Sequence, residues 1–192
     1  MVLARHNMKY DDVAIENIMA PHALASALKE GKIDAVVSWE PYNTAVLEQV
    51  PESYVVVRGG GYLSYIMVAT AHEPTIANSP QVIRGVVAGL AAASQSTRKN
   101  RDEAVEIFAK WVPGTDLPVA KKAVRHISYD PRLSPAVLKA FDAAEDDILK
   151  NTLHGATRLN MADQFSPAFL ADVETAHSEY FDDLPPLKAR TN

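Results

Sequence analysis

The chain has 192 residues, enough for one domain or two small lobes with a real apolar core. Apolar residues make up 47%, charged residues 22%, and the net charge of −5 comes with lysines and arginines scattered along the chain; this excludes the concentrated basic patch that nucleic acid or an anionic membrane surface requires. There is no cysteine, which removes disulfides, thiol nucleophiles, iron–sulfur clusters and cysteine-based zinc sites together.

The opening residues, Met1 to Asn7, carry no apolar core of a secretory signal, so no signal peptide is expected in this chain. Val13 to Ile18 alternates as a strand does. Pro21 then suits a first helical position, with Leu24, Ala25 and Leu28 on one face and Gly31 as the stop. Ile33 to Val37 is a short β-rich run, and a short helix is expected after Pro41. Tyr54 to Val57 reads as another strand, broken by Gly59-Gly60-Gly61, and Tyr62 to Thr70 as a last, longer one.

From there the pattern is helical. Ser79-Pro80, Ser134-Pro135 and Ser166-Pro167 each predict a helix start, serine as acceptor for a free N–H and proline where a donor would go unused. Apolar stripes follow at helical spacing: Val82, Ile83, Val86, Val87 and Leu90; then Val137, Leu138, Phe141, Ile148 and Leu149; then Phe169, Leu170, Val173 and Tyr180. Two shorter helices fit around Ala104 to Trp111 and Pro118 to Ile127. The longest small-apolar run, Gly85 to Ala93, falls well short of the ~20 residues that span a bilayer, so no membrane insertion is expected.

The stretch from Ala27 to Tyr42, ALKEGKIDAVVSWEPY, resembles a recurrent segment of the sulfonate-, nitrate- and thiamine-precursor-type solute-binding proteins of ABC importers. Tyr10-Asp11-Asp12-Val13 and His72-Glu73-Pro74 resemble that family's flanking segments. The resemblance implies an α/β fold of the type II periplasmic-binding kind, here incomplete, with strands of the N-terminal lobe missing and a helix-rich C-terminal half. Residues 1–70 would be the α/β part of the second lobe with a hinge strand, and residues 71–192 a helical segment of the first lobe. It further implies capture of a small polar or heteroaromatic solute in a cleft between lobes and hand-over to ABC permease subunits. The location would be periplasmic, or extracellular and lipid-anchored. An incomplete lobe invites a homodimer.

Ligand-contact candidates follow from placement beyond a strand end, where open α/β sheets bind ligands. Trp39 offers a flat indole, Glu40 an acceptor for ligand donors, and Tyr42 a second ring. Tyr62 and His22 complete the set. The alternative for Trp39 is a core plug, and for Glu40 a helix cap. The triple glycine lacks the following Lys-Ser or Lys-Thr of a phosphate loop, and the six histidines show no metal-ligand spacing, so neither cofactor nor metal is expected. Asp142, Glu145, Asp146 and Asp147 read as the solvated face of a helix. A thiamine-pyrimidine synthase shares the resemblance but uses a cysteine-rich iron motif, so a binding protein rather than an enzyme is expected. The rival is a truncated ligand-sensing or protein-interaction module of the same fold.

Overall fold

The computed structural model describes residues 2–59, 65–153 and 155–187. The chain divides into two compact units, one of residues 1–60 with 99–128 and one of residues 61–98 with 129–192. Among the described residues every regular element is helical.

The first unit contains α1 (Val2–Arg5), α2 (Leu24–Lys29), α3 (Tyr42–Gln49), α6 (Arg101–Trp111) and α7 (Leu117–Ala123). Pro21 opens a 3₁₀ turn, Pro21–Ala23, that runs directly into α2. Gly31 ends α2 in the left-handed region, at φ +67, and the Lys32 N–H reaches back to the Ala27 carbonyl at 3.0 Å. That is the six-to-one bond by which a glycine closes a helix. Ala25, Val46 and Val50 form a buried aliphatic cluster, with Leu24, Leu28 and Val36 against it. α7 lies against both α3 and α6 and buries Val119, Ala120 and Ala123, while α6 buries Val105. Both of these helices are capped by side chains. Asn100 accepts from the Glu103 N–H at 3.4 Å and donates to the Glu103 carboxylate at 2.8 Å; Asp116 accepts from the Val119 N–H at 3.0 Å.

The second unit contains α4 (Glu73–Asn78), most of α5 (Pro80–Lys99), α8 (Pro135–Asn151) and α9 (Ala168–Ala176). α5 and α8 begin at the prolines of the first two Ser-Pro pairs. The third helix starts one residue later than expected, with Pro167 as its cap. Ser134 occupies the cap of α8 without using its hydroxyl on the helix. The stripe read on α5 is split: Val82, Val86 and Leu90 are exposed, Ile83 and Val87 are half-buried, and Ala91 is buried completely. Successive helical residues differ by about 100°, so the inward line is 83, 87 and 91, and its neighbours at 82, 86 and 90 turn outward.

The α/β expectation is overturned. Among the described residues there is neither strand nor sheet, and a sheet-based type II periplasmic-binding fold is not the fold of this chain. Val13–Ile18, Ile33–Val37, Tyr54–Val57 and the described part of the last predicted strand, residues 65–70, have no regular structure. The physical reason is pairing. A strand is stabilised by a ladder partner elsewhere in the chain, and a short apolar run cannot be told from irregular chain without one. No ladder covers these runs: Val37 is 99% exposed, and Tyr54, Val56 and Met67 are exposed nearly as fully.

Candidate functional site

The turn entering α3 gathers three of the five sequence candidates. The Trp39 carbonyl accepts from the Asn43 N–H at 3.1 Å, and the Pro41 carbonyl from the Ala45 N–H at 2.9 Å. The Asn43 amide also donates to the Ser38 carbonyl at 3.0 Å, so residues 38 to 45 are cross-tied. Glu40 does the remaining tying. Its carboxylate accepts from the Thr44 N–H at 3.2 Å and the Thr44 hydroxyl at 2.6 Å, and it pairs with the Arg58 guanidinium.

The Glu40 side chain is only 8% exposed, so its charge is held inside by three donors, one of them cationic. A carboxylate so enclosed needs such partners. From one residue before the cap, Pro41, it satisfies a free N–H in the first turn of α3. Thr44 itself is buried.

With the turn fixed, Trp39 and Tyr42 stand ring edge to ring face, centroids 5.6 Å apart and planes at 89°. This T-shaped contact suits the quadrupoles of two aromatic rings. Trp39 keeps 40% of its surface exposed, and Tyr42 is half-buried. The Ser38 hydroxyl, immediately before the indole, is buried without a hydrogen-bond partner among the described residues. The arrangement offers a rigid aromatic corner for stacking or for a cation.

His22 lies elsewhere, exposed in the 3₁₀ turn before α2, and makes none of the bonds that hold the corner. Tyr62 lies outside the described residues, as do Gly60 and Gly61. Among the described residues no group of histidines and carboxylates could hold a metal. Arg58 escaped the sequence reading. The only available signal was general: a carboxylate placed inside calls for a cation, and nothing in the spacing of 18 residues points to this one.

Comparison with known proteins gives partial likenesses to binding proteins of Brucella. The chain is 24% identical over 115 residues to a putative binding protein of Brucella abortus, an alignment covering 58% of this chain and 36% of that protein. The putative binding proteins of Brucella suis and Brucella melitensis match to the same extent. The chain thus spans about a third of the length of the curated relatives it matches. No family model matches, and no solved structure does.

Proposed function

We propose that this chain is part of a solute-binding protein that delivers a small polar or heteroaromatic ligand, of the sulfonate, nitrate or thiamine-precursor class, to the permease of an ABC importer. Trp39 and Tyr42 are the ligand-facing pair. The observation that carries this reading is the exposed indole on a locked turn. Buried tryptophans serve cores, whereas this ring is held rigid by bonds from its neighbours and still presents two-fifths of its surface. The relatives' description as binding proteins supports the same class of activity. The chemistry is capture and release, with no covalent step, and a periplasmic location goes with it.

The test uses tryptophan emission. Trp111 is exposed, so a Trp111→Phe background isolates the Trp39 signal. A panel of alkyl- and arylsulfonates, nitrate, aminopyrimidines and thiamine is titrated, with thermal unfolding in parallel. A true ligand at one hundred times its dissociation constant adds ~2.7 kcal/mol to native stability. Binding that vanishes in Trp39→Ala supports the reading; a ligand held equally well by that variant overturns the assignment of the corner.

A second reading, a ligand-sensing or protein-interaction module, is favoured by the fully exposed apolar chain at Val37 and Val56. A panel in which no solute shifts either signal moves this second reading ahead.

A further inference from the structure

We propose that the groove between α5 and α9 binds a small aliphatic zwitterion, a free amino acid, through the paired charges of Arg84 and Asp172. The site lies in the unit of residues 61–98 and 129–192 and shares no residue with the aromatic corner at Trp39.

The groove has a volume of about 240 Å³, below the ~300–1,000 Å³ of pockets for drug-sized ligands, so its occupant is small. Gly85 and Ala88 from α5 and Val173 and Ala176 from α9 give it a short apolar wall, and the polar Gln81 and His177 complete the lining. Across it stands a single ion pair. Arg84 Nε and Nη2 both contact the same oxygen of Asp172, Oδ2, each at 3.0 Å. The Arg84 guanidinium carbon also sits over the Phe169 ring, 5.9 Å from its centre.

That geometry leaves two groups unspent. Among the described residues, neither Arg84 Nη1 nor Asp172 Oδ1 has a hydrogen-bond partner. One is a cationic donor and the other an anionic acceptor, carried by the two members of one ion pair. A ligand carboxylate can accept from Nη1 while a ligand ammonium donates to Oδ1, and the ion pair need not open. The aliphatic side chain then covers the wall of Gly85, Ala88, Val173 and Ala176. The pair also selects against half of such a ligand. A carboxylate without an ammonium faces the Asp172 charge uncompensated, and an amine without a carboxylate faces Arg84. Both charged residues are about half exposed, so affinity is weak, a dissociation constant on the order of 1 mM.

Gly85 provides the control. A Cβ built on it meets nothing within 4 Å, so a leucine there fills the groove rather than colliding with the fold. It also replaces a poor helix former by a good one.

The experiment is an NMR titration of the full chain, reading the amides of Gly85, Ala88, Val173 and Ala176 against L-leucine, isovalerate and isoamylamine. Leucine is expected to shift these amides saturably. Each analogue, lacking one charge-assisted hydrogen bond, should bind roughly tenfold more weakly. Asp172→Asn should weaken leucine to a similar degree, and Gly85→Leu should abolish its binding while the rest of the spectrum is kept. Trp39→Ala should leave the titration unchanged, which keeps a failure here separate from a failure of the aromatic corner. The proposal is overturned if leucine leaves these amides unmoved well above millimolar concentration. It is equally overturned if isovalerate or isoamylamine binds as tightly as leucine, or if Gly85→Leu binds undiminished.

Discussion

In the unit of residues 1–60 and 99–128 the buried side chains are mostly short aliphatics: Ala25, Val46, Val50, Val105, Val119 and Ala123. In the unit of residues 61–98 and 129–192 the buried hydrophobics among the described residues are Ala91 and Val173, and arginines take over. Arg98 donates to the Tyr129 carbonyl at 2.6 Å and the Tyr180 carbonyl at 2.7 Å, and grips both carboxylate oxygens of Asp183 at 2.8 Å. Arg132 holds Asp130 in a two-pronged pair, at 2.9 and 2.8 Å, and donates to the Pro185 carbonyl at 2.9 Å. The first unit is held chiefly by non-directional burial; the second ties its C-terminal segment down with directional bonds. A guanidinium can serve several acceptors at once because its donors lie in one rigid plane. This explains how a unit with little apolar interior can still fix a chain segment without regular structure.

The comparison breaks most sharply at Arg98. Its side chain is only 10% exposed, and Arg98→Met keeps bulk while removing every donor. The expected loss is about 3 kcal/mol, the lower end for breaking a buried pair, because Asp183 retains some contact with water. Hydrogen exchange should show it, with the Tyr180, Phe181 and Leu184 amides losing protection. An unchanged exchange pattern would mean that the segment is held by something other than this arginine.

The counterpart in the first unit is Val50→Ala, at a residue 3% exposed within the aliphatic cluster. Removing its two methyl groups should cost roughly 2 kcal/mol in transfer and cavity terms. Urea unfolding measures it. Neither loss should depend strongly on ionic strength, the Val50 loss because no charge is removed and the Arg98 loss because a pair so little exposed is only weakly screened. A smaller effect comes from Asp116→Ala, which removes the cap of α7 and should cost about 1 kcal/mol.

These differences mark what the sequence shows and what it hides. Helices are local, and their punctuation was legible: Pro80 and Pro135 open α5 and α8, and Gly31 closes α2. The apolar runs at Ile33–Val37 and Tyr54–Val57 were misread as strands, because pairing is a property of two segments and a window contains only one. The Trp39-Glu40-Pro41-Tyr42 turn was legible as a place, and Glu40 as cap or ligand contact; the structure bonds its carboxylate to Thr44 in the first turn of α3. The arginine ties were invisible. Arg98 meets Tyr129, Tyr180 and Asp183 across 31, 82 and 85 residues, and nothing in composition or spacing couples them.

The smallest expected effect sharpens the comparison through pH. Partial burial pushes the Asp130 carboxyl upward, but the side-chain and backbone hydrogen bonds from Arg132, with the charges of Arg132 and Arg98, outweigh it and hold the group below its ordinary value. Arg132 is raised in turn by the same hydrogen bond. A carboxyl whose folded value is depressed contributes stability above its unfolded value, about 3.9, and loses it as pH falls through the folded value. Wild type should therefore exceed Asp130→Asn in stability from neutral pH down to about pH 4, and the two curves should converge below it as the wild-type carboxyl takes up its proton. The Val50→Ala difference has no such pH dependence, since no titrating group is removed. If the Asp130→Asn difference instead persists unchanged into acid, the Arg132 contact works through shape rather than charge, and the contrast between the two units narrows to apolar content alone.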